Sequence, residues 1–196
     1  LAKLAVGNEG AFLQASSVFA AGVGWSTSNP FGKIHASVLS SIIAQGTLAE
    51  QSVFSITIPG STLGTNNAIR STVDIRNWNF ATDANASVLV LAQYGGNTVA
   101  SVVTPGQATG VTGFSGKIEY TIFGNGATNI QKGNIRLFLQ KQSQPLSSVF
   151  SLMRFDGNTA SVQSDGNAIL GMTIKASTSD VSTVVIPEGL IVERIA

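Results

Sequence analysis

The sequence predicts an all-β protein: an antiparallel β-sandwich, jelly-roll-like, preceded by a short N-terminal stem segment. Three observations support this prediction. From residue 52 onward, short stretches rich in β-branched residues alternate with turn-forming residues about every 8–12 positions. Several stretches carry apolar side chains at every second position, the period of a half-buried strand. No amphipathic helix of normal length is visible, and regular strand spacing of this kind is typical of sandwiches, jelly rolls and barrels.

The first predicted strands show the pattern most clearly. SVFSITI (52–58) stops at a Pro-Gly turn. AIRSTVDIRNW (68–78) has Ile69, Val73 and Ile75 on one face and polar residues on the other. SVLVLAQY (87–94) is apolar on both faces, as a central strand would be, and a Gly-Gly-Asn hairpin signal follows it before TVASVV.

The second half of the chain continues this rhythm. The further predicted strands are GKIEYTIF (116–123), NIRLFLQK (134–141), SSVFSLMRF (147–155), AILGMTIKA (168–176), STVVI (182–186) and GLIVERI (189–195). KIHASVLSSIIAQ (33–45) is ambiguous and fits a weak helix as well as an extra strand or an irregular strap. We therefore expect a stem and connecting segment over 1–48 and a β-sandwich head domain over 49–196.

Composition excludes several classes of function. Only 11% of residues are charged and the net charge is +1, so electrostatic capture of nucleic acid is not expected. The chain has no cysteine, which rules out disulfides and thiolate chemistry. No apolar run approaches the roughly 20 residues that a membrane-spanning helix needs, so no membrane insertion is expected. Low charge together with 43% hydrophobic residues suits a protein that hides surface against copies of itself.

No catalytic, cofactor-binding or metal-binding residues are predicted. His35 is the only histidine, no Gly-x-Ser-x-Gly motif occurs, and no acid lies near it in sequence, so a surface or interface histidine is the favoured interpretation. Ten carboxylates are scattered along the chain. Asp74 and Glu119 lie in predicted strands and could approach each other in a sheet, but solvated strand-face charges explain them better. We expect a protein that is not an enzyme.

Two smaller features, a repeated Asp-Gly-Asn motif and the two tryptophans, have ordinary explanations. Asp-Gly-Asn occurs at 156–158 and again at 165–167, but no acids follow at alternating positions, so turns explain both better than calcium loops. Trp25 and Trp78 could stack on sugars or pack in a core.

One stretch does not fit a sandwich. LAVGNEGAFLQASSVFAAGVGW (4–25) is apolar, keeps neither helical nor strand periodicity, and is interrupted by glycines. It resembles a segment common in bacteriophage tail-fibre and related virion fibre proteins, where fixed glycines, a leucine and a closing tryptophan precede the distal domain. The matching residues are Leu4, Ala5, Val6, Gly7, Gly10, Leu13, Gly22, Gly24 and Trp25.

The body carries a second resemblance. SITIPGSTLGTNNAIRSTVDI (55–75) is similar to a stretch of a distal β-sandwich domain found in phage structural proteins. VLVLAQYGGNTVAS (88–101) and KIEYTIFGNGATNIQKGNI (117–135) are similar to the strands that follow in that domain.

The resemblance implies a trimeric stem in which apolar side chains are buried between chains. Glycines permit the close backbone approach that such a stem needs. Exposed in a monomer, so much apolar surface would promote aggregation. The side chains expected to form the interchain core are Leu4, Val6, Phe12, Leu13, Val18, Phe19, Val23 and Trp25.

The expected function is that of a non-enzymatic virion structural or appendage protein of the phage fibre type, located on the particle surface or tail. It would form a homotrimer, contact other virion proteins, and attach to a host cell-surface glycan or protein. The receptor-binding residues are not predicted individually; the Gly-, Asn-, Ser- and Thr-rich loops 79–86, 104–115, 124–133 and 156–167 are the candidate surface. Two alternatives stay open: a secreted filament, biofilm-matrix or pilus-like subunit that polymerises by strand donation, and a sugar-cleaving spike.

Overall fold

The computed structural model describes residues 12–15, 23–26, 32–43, 46–79, 87–104, 113–141, 149–179 and 183–195. Within these ranges the regular structure consists of strands without a helix, which confirms the predicted all-β fold. The strands are β1 (Phe12–Ala15), β2 (Val23–Ser26), β3 (Lys33–Val38), β4 (Gln51–Ile58), β5 (Ala68–Asn79), β6 (Val88–Tyr94), β7 (Asn97–Val103), β8 (Phe114–Gly124), β9 (Gln131–Lys141), β10 (Val149–Ala160), β11 (Ala168–Ala176) and β12 (Val184–Arg194).

Two antiparallel sheets form the sandwich. The six-stranded sheet has the order β10-β9-β8-β5-β12-β3 and the four-stranded sheet the order β4-β11-β6-β7. Leaving aside the inserted β9–β10 hairpin, the eight remaining strands of the sandwich form nested pairs in the chain: β3 with β12, β4 with β11, β5 with β8, and β6 with β7. From the outermost pair to the innermost, successive pairs lie alternately in the six-stranded and the four-stranded sheet, as they do in a jelly roll.

Strand alternation builds the core between the sheets. In β6, every second residue from Val88 to Tyr94 is buried, and in β9 every second residue from Gln131 to Leu139 is buried. Trp78 at the end of β5 is fully buried, so packing is its role rather than an exposed sugar platform. Ile43, which precedes β4, also belongs to this core and forms a bridge with Val185. Burying large β-branched and aromatic side chains of this kind is the main stabilising contribution in a sandwich.

The structure resolves one ambiguity and corrects one element. Residues 33–38 of the ambiguous 33–45 stretch form β3, the edge of the six-stranded sheet, so the strand alternative is confirmed there. The two predicted strands 182–186 and 189–195 are wrong as separate elements, because β12 runs continuously from Val184 to Arg194. Register shifts on both sides of Pro187 let a residue without a backbone N–H sit inside the strand.

The two Asp-Gly-Asn motifs differ. At 165–167, the Asn167 side chain accepts a hydrogen bond of 2.9 Å from the Gly60 amide, and Asp165 accepts one of 3.0 Å from Gly166, as expected of a turn. The turn expected at 156–158 is wrong: these residues lie inside β10, where a register shift between Asp156 and Thr159 marks a bulge. A bulge tolerates the same glycine and asparagine that a turn uses. The predicted loop 156–167 therefore begins only after Ala160.

The predicted division at residue 48 stays a prediction. β3 and Ile43 lie before that residue, yet they contribute to the six-stranded sheet and to the core. The head that can be described therefore includes residues from Gly32 onward.

Candidate interaction surfaces

The predicted stem contains a short hairpin. β1 pairs antiparallel with β2, and the register places Leu13 opposite Trp25 and Ala15 opposite Val23. Because residues alternate between the two faces of a strand, these four apolar positions share one face of the hairpin. The other face takes Gln14, together with Phe12, Gly24 and Ser26. Of the residues expected in the interchain core, Leu13, Trp25 and Val23 therefore share this face, and Leu13 and Trp25 are direct cross-strand neighbours, whereas Phe12 lies on the other face. Leu4, Val6, Val18 and Phe19 lie outside the described residues.

The predicted loops separate into two groups at opposite ends of the sandwich. The start of β3 lies beside the end of β12, since the Arg194 amide donates to the Gly32 carbonyl. We call this end the stem end. The connections β4–β5, β6–β7, β8–β9 and β10–β11 leave strands at the stem end, and the connections β5–β6, β7–β8, β9–β10 and β11–β12 leave strands at the opposite, distal end.

Loops 124–133 and 156–167 therefore do not share an end with loops 79–86 and 104–115. Residues 80–86 and 105–112 themselves lie outside the described residues. The strand ends that carry them, Asn79 and Phe114, are nevertheless neighbours: the Asn79 side chain accepts a hydrogen bond of 2.8 Å from the amide of Gly113. Two of the four candidate receptor loops consequently emerge side by side at the distal end.

The loops at the stem end are joined by hydrogen bonds. Ser164 donates from its amide and its hydroxyl to the Thr128 carbonyl, both at 2.8 Å. The Gln131 side chain exchanges two hydrogen bonds with the backbone of Val162, at 2.6 and 3.0 Å. Ser164 and Gln131 are buried, although both residue types usually lie at the surface. Their role is structural, because each satisfies backbone groups of a second loop.

The outer face of the six-stranded sheet carries the ion pairs of the described chain. Glu119 on β8 lies 3.5 Å from Lys117 Nζ and 3.7 Å from Arg136 Nη1. Lys117 Nζ also lies 5.1 Å from the centre of the Phe138 ring. Arg70 and Glu193 form a shorter pair, at 2.6 Å between Nη2 and Oε1. These contacts form two separate groups of ion pairs, one that joins β5 to β12 and one that joins β8 to β9.

The two candidate carboxylates, Asp74 and Glu119, both lie on this face of the sheet, but they are not directly opposite each other. Asp74 on β5 is opposite Lys117, whereas Glu119 is opposite Thr72, so the acids occupy diagonal positions on neighbouring strands. Diagonal neighbours lie roughly 7–8 Å apart, with their Cβ atoms somewhat closer. Glu119 is engaged with two cations, as expected of strand-face charges.

The other titratable candidates lie elsewhere. His35 is half-buried on β3, opposite Val192. Among the described residues, no group of three or more His, Asp and Glu side chains is placed to hold a metal ion. Burial raises the pKa of Tyr94, and burial together with the nearby Tyr94 raises the pKa of Tyr120 well above its usual range. Both tyrosines belong to the core, so these shifts reflect packing between the sheets.

One surface was not anticipated from sequence. A notch of about 190 Å³ lies where β3 ends against β12, lined by Val38, Leu39, Ser40, Arg76, Ile186, Pro187 and Glu188. Val38 beside it is among the most exposed large hydrophobic residues of the described chain, with 85% of its surface accessible. The only sequence signal was Pro187 itself, since proline inside a strand marks an edge or a bulge.

Comparisons with known proteins add little. No protein-family model matches the chain, and no curated protein matches its sequence. One similar solved structure is the VP2 subviral particle of infectious bursal disease virus, with 13% identity, a TM-score of 0.29, and coverage of 93% of this chain and 46% of that one. Another is the alginate lyase of Klebsiella pneumoniae, with 11% identity, a TM-score of 0.22, and coverage of 67% and 58%. The chain therefore has a weak structural neighbour among viral particle proteins, and its match spans less than two thirds of either protein's length. Likeness this weak carries no functional inference.

None of the described segments forms a helix with the length and apolar character needed to span a bilayer.

Proposed function

We propose that this chain is a non-enzymatic virion structural protein of the fibre or appendage type, which trimerises through its N-terminal stem and contacts a host surface with its head. The nested strand order carries the proposal, because double-sheet jelly rolls form viral capsid and lectin domains as well as cupins. Since a fold alone does not establish function, the resemblance of residues 4–25 and 55–75 to phage fibre proteins is needed as the second support.

The stem hairpin favours a closed trimer over a donated strand. β1 already pairs with β2 of the same chain, so each has one edge in use before another copy approaches. A donor strand instead leaves both edges free to enter a neighbour's sheet. A shared apolar face at Leu13 and Trp25 suits association around an axis, which closes, whereas head-to-tail donation continues without limit.

The mass of the native protein tests the assembly. We expect the wild-type protein to be a trimer in solution, as measured by light scattering after size-exclusion chromatography. The variant Leu13→Asp should lose the trimer, because an unpaired charge in a dry interface costs several kcal/mol. Gln14→Asp is the matched control, since position 14 lies on the opposite face of β1. A monomeric wild type, or equal effects of the two variants, would overturn the stem assignment. A rod that grows without limit would favour the filament alternative.

The strand topology places two of the candidate receptor loops, 79–86 and 104–115, at the end of the head opposite the stem end, so we expect receptor contact at that distal end. Three copies of a weak site on one rigid trimer gain strength through avidity. Replacing 81–85 by a Gly-Ser linker should reduce binding of the fluorescent protein to a panel of bacterial isolates while leaving the trimer intact. Asn97→Asp, in an exposed hairpin at the stem end, is the control. Equal binding by both variants would remove the distal loops from the proposal.

Absence of catalysis belongs to the same proposal. Asp74 and Glu119 lie on one face of neighbouring strands, in diagonal positions, so they are the pair to test. We expect no release of reducing ends from bacterial surface polysaccharides by the wild type. Release that disappears in both Asp74→Asn and Glu119→Gln would favour the sugar-cleaving spike.

A further inference from the structure

The connection between β8 and β9 contains the only Asn-Gly pair of the sequence, Asn125-Gly126. Both residues are exposed at the stem end. An asparagine that precedes a glycine can deamidate without an enzyme. The glycine backbone nitrogen loses its proton and attacks the side-chain Cγ, the side-chain nitrogen leaves as ammonia, and water opens the resulting succinimide to aspartate or isoaspartate. Glycine favours the reaction because it has no Cβ to hinder its own nitrogen, and asparagine is a thermolabile residue.

The conformation of this turn favours glycine at position 126. Its φ is +79°, in the left-handed region that glycine adopts without strain. Space is not the reason, because nothing lies within 4 Å of a Cβ built on Gly126. The same open surroundings let water reach a succinimide at this position. The turn therefore selects the residue that also makes Asn125 reactive.

The neighbouring β4–β5 connection holds the nitrogen that would attack. The Gly126 amide donates a hydrogen bond of 2.9 Å to the Thr65 carbonyl, and the Asn125 amide donates one of 3.0 Å to the Ile130 carbonyl. A backbone N–H that is paired with a carbonyl keeps its proton and its position. The attack instead requires the nitrogen to lose that proton and to approach the Asn125 Cγ. The hydrogen bond to Thr65 therefore opposes deamidation.

Ser164, in the β10–β11 connection, joins the other two connections to each other. Its buried hydroxyl donates to the Thr128 carbonyl of the β8–β9 connection at 2.8 Å and lies 3.2 Å from the Gly64 carbonyl oxygen of the β4–β5 connection. Gly64 directly precedes Thr65, which holds the Gly126 nitrogen. We call the three connections the loop cluster. Contacts within the loop cluster thus stabilise the hydrogen bond that protects Asn125.

We propose that Asn125 is a deamidation site of this protein and that opening of the loop cluster controls the rate of the reaction. Native proteins open locally at a lower free energy than that of global unfolding, and a chemical step that is slow relative to closing then follows the population of the open form. The isoaspartate product routes the main chain through the side-chain methylene and so lengthens the hairpin. The Gly126 nitrogen can then no longer return to Thr65, and the opening becomes permanent.

Peptide mapping by mass spectrometry measures the reaction in the full-length chain at neutral pH. Asn125 should convert to aspartate and isoaspartate when the chain is unfolded in guanidinium chloride, and roughly tenfold or more slowly in the folded protein. Asn97 is the internal reference, because it is exposed at the same end but precedes a threonine, whose branched side chain hinders the nitrogen. In the unfolded chain it should react far more slowly than Asn125.

A pair of matched variants tests the control by the loop cluster. Ser164→Ala removes the hydroxyl that joins the loops and should accelerate deamidation of the folded protein roughly fivefold or more, while the rate in the unfolded chain stays unchanged. Ser177→Ala is the control, since it removes a hydroxyl that accepts a hydrogen bond of 2.8 Å from the Ser87 amide at the distal end. We expect this control to react at the wild-type rate. Circular dichroism confirms that both variants are folded.

The outcomes are distinct. No reaction at Asn125 in the unfolded chain would refute the site itself. Equal rates in the folded and the unfolded wild type would refute protection by the loop cluster. Either no acceleration by Ser164→Ala, or equal acceleration by both variants, which would show that global unfolding governs the rate, would refute control by the loop cluster. None of these results bears on the proposed virion function, because the oligomeric state does not enter the measurement.

Discussion

The two sides of the sandwich differ in how their exposed strand edges are covered. At one side, β7 of the four-stranded sheet lies against β9 and β10 of the six-stranded sheet, so two strand edges cover each other. At the other side, β3 pairs with β12 alone among the described strands; we call its other side the β3 edge, and Val38 there is exposed. A sheet edge must be paired, covered or charged to avoid non-specific association. Within the described residues, the edges at β7 and β10 are therefore covered (the closed side), whereas the β3 edge has no strand against it (the open side).

Sequence differences between the two sides agree with this comparison. Val99 on β7 is fully buried, and Gly133 on β9 provides the space for it: a Cβ built on Gly133 would lie 3.0 Å from the Val99 carbonyl oxygen. Val38 on β3 is almost fully exposed. Two valines on edge strands therefore have opposite environments, and this provides a direct test.

The largest effect should come from placing aspartate at each valine in turn. Val99→Asp buries a charge without a partner and should cost about 4 kcal/mol or more of unfolding free energy, enough to unfold a marginal domain. Val38→Asp should change the intrinsic stability of the head by no more than about 0.5 kcal/mol. Urea unfolding followed by circular dichroism at two protein concentrations separates intrinsic stability from assembly. Similar losses in both variants would show that the β3 edge is needed for the fold itself.

A smaller effect is expected where the closed side depends on glycine. Gly133→Ala places a methyl group against the Val99 backbone and should cost about 1–3 kcal/mol, because backbone cannot move aside as a flexible side chain does. Gly166→Ala is the control, since nothing lies within 4 Å of a Cβ built at that position. Thermal unfolding measures both variants. A neutral Gly133→Ala would mean that β7 and β9 are further apart than described.

Between the two sides, the buried hydroxyl of Tyr120 should be nearly dispensable at neutral pH. Within the described residues, this hydroxyl has no hydrogen-bond partner. We therefore expect Tyr120→Phe to change the free energy of unfolding by less than about 1 kcal/mol, and to stabilise the protein because the variant removes a buried polar group without a partner. Urea unfolding at pH 7 measures the difference.

The same residue should act at high pH. Its pKa is raised by burial, so the unfolded chain loses the tyrosine proton first, near pH 10, while the folded chain keeps it. Stability should therefore fall as the pH rises above about 10, and less steeply in Tyr120→Phe. Urea midpoints measured between pH 8 and 11 check this. Equal slopes in both proteins would contradict the assignment.

The smallest effect is expected beside the open side. The Arg70–Glu193 pair, at 2.6 Å, joins β5 to β12, but about a third of each side chain is exposed, so solvent screens it. Glu193→Gln should cost less than about 1 kcal/mol, with the difference shrinking as salt is added. Thermal melts at two salt concentrations are sufficient. A loss above 2 kcal/mol would mean that the pair is buried, for example by a neighbouring head.

The sequence by itself determined the fold class and most strand positions, because alternation and turn chemistry are local properties. AIRSTVDIRNW, with its apolar residues at every second position, could hardly be anything but a half-buried strand, and it is β5. The predictions from sequence were wrong where the same residue types occur in two kinds of local structure. Asp156-Gly157-Asn158 forms a bulge rather than a turn, and Pro187 lies within a strand, because in both cases neighbouring strands absorb the irregularity.

Only the tertiary structure decided which surfaces are free. Strand order places loops 79–86 and 104–115 at one end and 124–133 and 156–167 at the other, a relation set by long-range pairing that local sequence does not encode. It places Asp74 diagonal to Glu119, and it leaves Val38 exposed while it buries Val99, although both are valines in short apolar strands. The physical reason is that burial depends on what lies across the sheet, and among the described residues β3 has one partner strand, β12.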